Sequence, residues 1–112
     1  MLMAWARMQS NYLPALRWLA AVPNGGWRNR VTAARLKAEG VSPGVPDLML
    51  LYPCGGFHGL FIELKRKRGG QVSQEQHVWI DYLNSVGFLA LVCKGEEEAR
   101  LAILRYLGAD GK

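Results

Sequence analysis

Gly44-Val45-Pro46-Asp47 opens an apolar run to Tyr52; the turn residues Pro53-Cys54-Gly55-Gly56 follow, and then Leu60-Phe61-Ile62-Glu63-Leu64-Lys65. Two apolar runs joined by a short proline- and glycine-bearing segment read as an antiparallel hairpin. Along the second run Leu60, Ile62 and Leu64 share one face, and Phe61, Glu63 and Lys65 the other, because side chains alternate in a strand. A strand apolar on both faces is expected to be covered on both sides. Charged groups in such a strand are costly unless paired or bound to metal. Glu63 and Lys65 therefore demand an explanation.

The flanking sequence supplies the helices. Ser73 is a good N-cap, and Gln76 three residues later completes a capping-box pattern. Trp79, Tyr82, Leu83 and Val86 then repeat at the spacing of a buried stripe, predicting a helix over 73–86 that Gly87 stops. Phe88 to Cys93 is expected to be a third buried strand. Glu96 to Leu107 is expected to be the last helix, with three acids in its positive first turn and Ala99, Ile103, Tyr106 and Leu107 on its inner face. Upstream, Met1 to about Ala21 reads as helix, broken or restarted at Pro14. Pro23-Asn24-Gly25-Gly26 is a strong turn signal. Arg28 to Glu39 is expected to be helical, with Gly40 as its C-cap. The expected order is α(α)-β-β-α-β-α: a small mixed sheet with helices on both faces, in the α/β class.

The chain has 112 residues, of which half are apolar, which fits one small globular domain over 1–112 and argues against disorder. Its net charge of +5 and pI of about 9.6 favour a polyanionic partner, nucleic acid above all. No stretch approaches the roughly 18 uninterrupted apolar residues of a membrane span. Cys54 and Cys93 have neither metal-ligand spacing nor a disulfide framework. They are expected to be packing residues of a protein in a reducing cytoplasm.

Glu63 and Lys65 point into one volume, and the hairpin can bring Asp47, at the start of its first strand, to the same place. Two carboxylates and a backbone carbonyl, that of Leu64, suit a hard, oxygen-loving Mg²⁺ or Mn²⁺. Such an ion would polarise a phosphate and acidify a water, with Lys65 orienting that water or stabilising developing charge. The plain alternative is a wet edge strand whose charges meet solvent.

Taken together these segments resemble the VRR-NUC (virus-type replication-repair nuclease) family, a branch of the PD-(D/E)xK nuclease superfamily. The resemblance is carried by Pro23-Asn24-Gly25-Gly26, by Thr32 to Gly40, by Gly44-Val45-Pro46-Asp47, by Gly55 to Lys65, by Val72-Ser73-Gln74-Glu75-Gln76 with Trp79, and by Gly87-Phe88. It implies a restriction-endonuclease-like core in which Asp47 and Glu63 are metal ligands, Lys65 the catalytic lysine and Gln76 a glutamine beside the site. A capping box also accounts for Gln76. One departure stands out: the family's first helix usually carries a glutamate of the metal set, and no acid occurs before Glu39. The first helix is therefore expected to start inside the family's pattern, with weak metal binding as the symptom.

The implied activity is metal-dependent DNA phosphodiester hydrolysis, selective for branched structures such as four-way junctions or flaps, by a homodimer in a bacterial or phage-infected cytoplasm. Arg66, Lys67 and Arg68 are candidate phosphate contacts, as are Asn24, Gly25, Arg28, Arg30, Arg35 and Lys37. Such contacts give salt-sensitive affinity with little sequence reading. Two alternatives stay open: a catalytically impaired DNA-binding module of the same fold, and an interaction domain that binds acidic protein. His58 and His77 have no metal partner at useful spacing and are expected to be structural or surface residues.

Overall fold

The computed structural model describes residues 1–23, 35, 38–40 and 42–109. Helix α1 (Leu2–Gln9) leads into a 3₁₀ turn (Pro14–Trp18) and the short strand β1 (Leu19–Ala21). Strands β2 (Leu48–Leu50) and β3 (Leu60–Lys65) follow, then helix α2 (Gln74–Ser85), strand β4 (Leu89–Lys94) and helix α3 (Glu96–Tyr106).

The four strands form one sheet in the order β1-β2-β3-β4. The expected hairpin is there: β2 pairs antiparallel with β3, Leu48 opposite Ile62 and Leu50 opposite Leu60. Strand β4 joins β3 in parallel, as a strand returning through a helical crossover must. The sheet is therefore mixed.

Side chains from alternate positions build two faces. Leu48, Leu50, Leu60, Ile62 and Cys93 join Leu2, Ala6, Leu16, Ala99, Ile103 and Tyr106 in the main core, so α1, the 3₁₀ turn and α3 cover that face. Helix α2 covers the other. There Phe61 packs edge-on against Phe88 at 5.4 Å between ring centres, and Asn84 on α2 reaches the Ala90 backbone.

Several expectations change. The segment to Ala21 is not one helix. Pro14 starts a 3₁₀ turn, and Leu19, Ala20 and Ala21 pair with Leu50, Met49 and Leu48 as a strand. Three residues without β-branching carry no local strand signal, and partners distant in sequence create the strand. The first hairpin strand is also shorter than the run to Tyr52, since Leu51 and Tyr52 lie beyond it and are exposed. Strand β4 is an edge strand rather than a buried one, and its Val92 is exposed. On α2 only Leu83 of the expected stripe is buried, while Tyr82 and Val86 face solvent. Two polar residues, Gln76 and Asn84, turn toward the sheet instead, and they set the rotation of the helix about its axis.

Both cysteines are free, as expected. His58 rests against Gly87 and edge-on against Phe88, a packing position. No helix among the described residues is long and apolar enough to cross a membrane.

Candidate active site

Asp47 is the last residue before β2. Its backbone is held by the Val22 N–H, which donates to the Asp47 carbonyl at 2.7 Å. Its side chain crosses to β3, where Oδ2 accepts the Leu64 N–H at 2.9 Å. β2 has ended at that level, so the Leu64 amide has no ladder partner there and the Asp47 carboxylate takes the place of one. A strand residue directs its N–H and C=O toward the same neighbouring strand. The Leu64 carbonyl therefore also opens on the Asp47 side.

Among the described residues Glu63 is the buried charged side chain, with 3 % relative exposure. Its Oε2 accepts from Gln76 Nε2 at 2.8 Å and lies 3.4 Å from Lys65 Nζ, itself mostly buried. Its Oε1 is buried with no hydrogen-bond partner. Burial raises the Glu63 carboxyl to a pKa of about 7; the Asp47 carboxylate adds to the rise by charge and by hydrogen bonding, and Lys65 opposes it. Burial is the first cause of the rise, and the same burial keeps Oε1 from finding a partner in solvent.

Gln76 reconciles two sequence expectations. Its Oε1 accepts the Ser73 N–H at 2.8 Å, and its own N–H donates to Ser73 Oγ at 3.2 Å, a complete capping box. The same side chain gives its amide N–H to Glu63. A glutamate would close the cap equally well but has no proton to give Glu63, which is the chemical reason for the amide.

Sequence reasoning passed over the role of Gly44. It sits at φ +92°, and a Cβ there would lie 2.5 Å from the Glu75 carbonyl carbon. The loop before Asp47 is thus pressed against the first turn of α2. Only a residue without a side chain allows this approach at such a φ. The glycine in Gly44-Val45-Pro46-Asp47 was the available signal.

Arg66, Lys67 and Arg68 leave β3 directly after Lys65 and are exposed, with the Lys67 methylenes lying over Gly95. Arg35 is exposed and 3.9 Å from Glu39. The candidates Asn24, Gly25, Arg28, Arg30 and Lys37 lie outside the described residues.

A divalent ion can be tested against these groups. Among the described residues no set of three or more His, Cys, Asp and Glu side chains converges, and the two carboxylates that do meet are Asp47 and Glu63. Carboxylate and carbonyl oxygens are the donors that hard cations such as Mg²⁺ take. A buried, unpartnered Glu63 Oε1 is the kind of atom such a cation satisfies. The residues fit.

The family model for the VRR-NUC domain matches residues 2–97. A solved VRR_NUC domain protein superposes with a TM-score of 0.73 at 24 % identity, over 97 % of this chain and 90 % of that one, and so shares the fold. No curated protein matches the chain. With most of its length matched by the family model, the chain belongs to the VRR-NUC domain family, which implies a nuclease of the PD-(D/E)xK type.

Proposed function

We propose that this protein is a divalent-metal-dependent DNA endonuclease whose single domain hydrolyses phosphodiester bonds with Asp47, Glu63, Lys65 and Gln76. The observation that carries the proposal is the junction at Glu63: a buried carboxylate touched by Gln76 and Lys65, pressed by Asp47, with one oxygen left without a partner. Asp47, Glu63 and the Leu64 carbonyl would hold Mg²⁺ or Mn²⁺. Such an ion, when bound, withdraws charge from a phosphate and lowers the pKa of a nearby water.

The remaining work falls to the chain itself. Gln76 holds Glu63 Oε2 in place, so that the orphaned oxygen keeps one orientation. Lys65, next to that carboxylate, orients the attacking water and offsets charge developing on phosphorus. Arg66, Lys67 and Arg68 grip phosphates that flank the cut and position the strand without reading its bases. Branched DNA, such as a four-way junction or flap, is the proposed substrate. A homodimer in a bacterial or phage-infected cytoplasm is the proposed form, since two sites related by a twofold axis suit symmetric cuts.

The test is cleavage of a labelled four-way junction and a matched linear duplex, each with Mg²⁺, Mn²⁺ or EDTA. Metal-dependent cutting that favours the junction is expected; equal cutting in EDTA would remove the mechanism. Lys65→Ala is expected to abolish turnover and leave DNA affinity nearly intact.

A second reading, a DNA-binding module of the same fold without turnover, is favoured by the absence of a third metal-ligating side chain among the described residues and by the lack of an acid on α1. Calorimetric titration with Mn²⁺ separates the two. Binding lost in Asp47→Asn supports the enzyme, whereas DNA affinity without metal uptake supports the module.

A further inference from the structure

The acid cluster has a basic neighbour on its β4 side. In the β3–β4 register Val92 is opposite Glu63, and Lys94 is opposite Lys65. Residues opposite one another in a ladder project from the same face of the sheet, so Lys94 stands beside the site lysine. Over β4, helix α2 is anchored at Ala90, where Asn84 holds both backbone groups. Past that point Val92 and Lys94 are exposed.

Lys67 reaches the same corner from β3. The Gly95 N–H donates to the Lys65 carbonyl at 2.9 Å, which ties the end of β3 to the residue after Lys94. The Lys67 stem fills the space that a side chain on Gly95 would take: a Cβ there would lie 3.1 Å from both Lys67 Cγ and Cε. Gly70 is folded back on Lys65, where a Cβ would meet the lysine Cβ at 3.0 Å. The segment 66–70 is thus a closed turn that holds the Lys67 stem against the junction of β4 and α3.

Three acids open α3 near this corner, and each is engaged elsewhere. Glu96 and Glu97 lie 4.0 Å from the Arg100 guanidinium. Glu98 accepts the Lys94 N–H at 3.0 Å, in the plane of the sheet. Burial pushes the Cys93 thiol up, and the Glu98 charge adds to the rise, which places that acid toward the core side. Among the described residues no ion pair holds the Lys67 or Lys94 ammonium.

We infer that Lys67 and Lys94 form a subsite for a DNA backbone phosphate, on the β4 side of the acid pair. Asp47 flanks Glu63 from β2 and the lysines flank it from β4. A strand crossing the ends of β2, β3 and β4 therefore meets the acids and then the cations. Two neighbouring ammonium groups repel unless an anion lies between them, and a phosphate diester supplies one without any base being read. The inference rests on the reading of this face as a DNA site, and it adds to that site Lys94, which no sequence motif marks.

The test reads affinity in EDTA, without metal-dependent turnover, from the anisotropy of a labelled four-way junction at about 50 to 200 mM salt. Lys67→Gln and Lys94→Gln are each expected to lower the slope of log affinity against log salt by about 0.9, and Lys94→Arg to restore it. Arg7→Gln, the same change of charge on α1, is expected to leave the slope unchanged. Junctions with one phosphate replaced by a neutral methylphosphonate then locate the contact. At one position the replacement should weaken binding of the unaltered protein, with at least about threefold less effect on Lys94→Gln. An unchanged slope in either lysine variant, or a methylphosphonate effect of the same size in Lys94→Gln at every position, overturns the inference. So does equal affinity for a polyglutamate peptide that the same variants lose, which would assign the corner to acidic protein. Lowered slopes in a protein that never cuts DNA would support the subsite and sink the nuclease; metal-dependent cutting with unchanged slopes would do the reverse.

Discussion

Gln76 on α2 donates its amide N–H to Glu63 Oε2 on β3 at 2.8 Å while its carbonyl oxygen closes the cap at Ser73. One side chain thus fixes both the start of a helix and the orientation of a buried acid. The two roles separate by substitution. Ser73→Ala removes the cap oxygen and is expected to cost about 1 kcal/mol of stability with cleavage nearly unchanged. Gln76→Glu keeps the cap, removes the proton given to Glu63 and adds a negative charge. Cleavage is expected to fall by at least about tenfold, a loss of roughly 1.4 kcal/mol or more in transition-state stabilisation. Urea denaturation and junction cleavage on the same samples check both.

Proton linkage at Glu63 sets a pH window. The folded chain holds this proton up to about pH 7, against an ordinary value of 4.5. A raised acid favours folding below its ordinary value, and that contribution declines as pH rises toward the folded value. Without metal, the melting temperature is expected to drop between about pH 4.5 and 7 relative to Glu63→Gln, which lacks the titration. An ion needs the ionised carboxylate, so Mn²⁺ should raise the melting temperature more at pH 8 than at pH 6. Thermal scans with and without Mn²⁺ measure both slopes; a larger metal effect at pH 6 would refute the linkage.

Two glycines with nearly the same φ should respond differently. A Cβ on Gly44 (φ +92°) would lie 2.5 Å from the Glu75 backbone, whereas one on Gly40 (φ +95°) would meet nothing within 4 Å among the described residues. Gly40→Ala is expected to cost about 1 kcal/mol of backbone strain and leave cleavage unaffected. Gly44→Ala adds a steric overlap that can be relieved only by moving the loop off α2. It is expected to cost on the order of 3 kcal/mol and to weaken Mn²⁺ binding, because Asp47 moves with the loop. Denaturation and calorimetry of the two variants test the contrast.

The free edge of β4 is blocked by side chains. Asn84 bonds both the N–H and the C=O of Ala90, at 2.9 and 3.2 Å, and Glu98 accepts the Lys94 N–H at 3.0 Å. Unpaired edge groups invite strand addition by another chain. Asn84→Leu is expected to cost about 1–3 kcal/mol through two orphaned backbone groups and to produce concentration-dependent association. Light scattering over a dilution series would detect it, and an unchanged mass would show that the edge is protected by other means.

The hairpin, the capped helix at Ser73, the last helix and the meeting of Asp47, Glu63, Lys65 and Gln76 in one place were all legible from the chain. Each rests on a local rule: strand alternation, a capping box, acids in a helix's first turn, a proline-marked turn before an acid. Strand β1 was not legible, because Leu19-Ala20-Ala21 becomes a strand only through pairing with Leu48–Leu50. The rotation of α2 was not legible either. Hydrophobic spacing pointed to Tyr82 and Val86 as inner residues, yet the amides of Gln76 and Asn84 bind the sheet and leave both exposed.

The linear text thus determined most of the elements and which polar side chains meet where β2 and β3 pair, since periodicity and turn chemistry act over a few neighbouring positions. Tertiary structure alone decided that Glu63 is buried with one oxygen orphaned and that Gly44 is clamped against Glu75. Those properties depend on desolvation and close approach between segments distant in sequence, which no local pattern encodes.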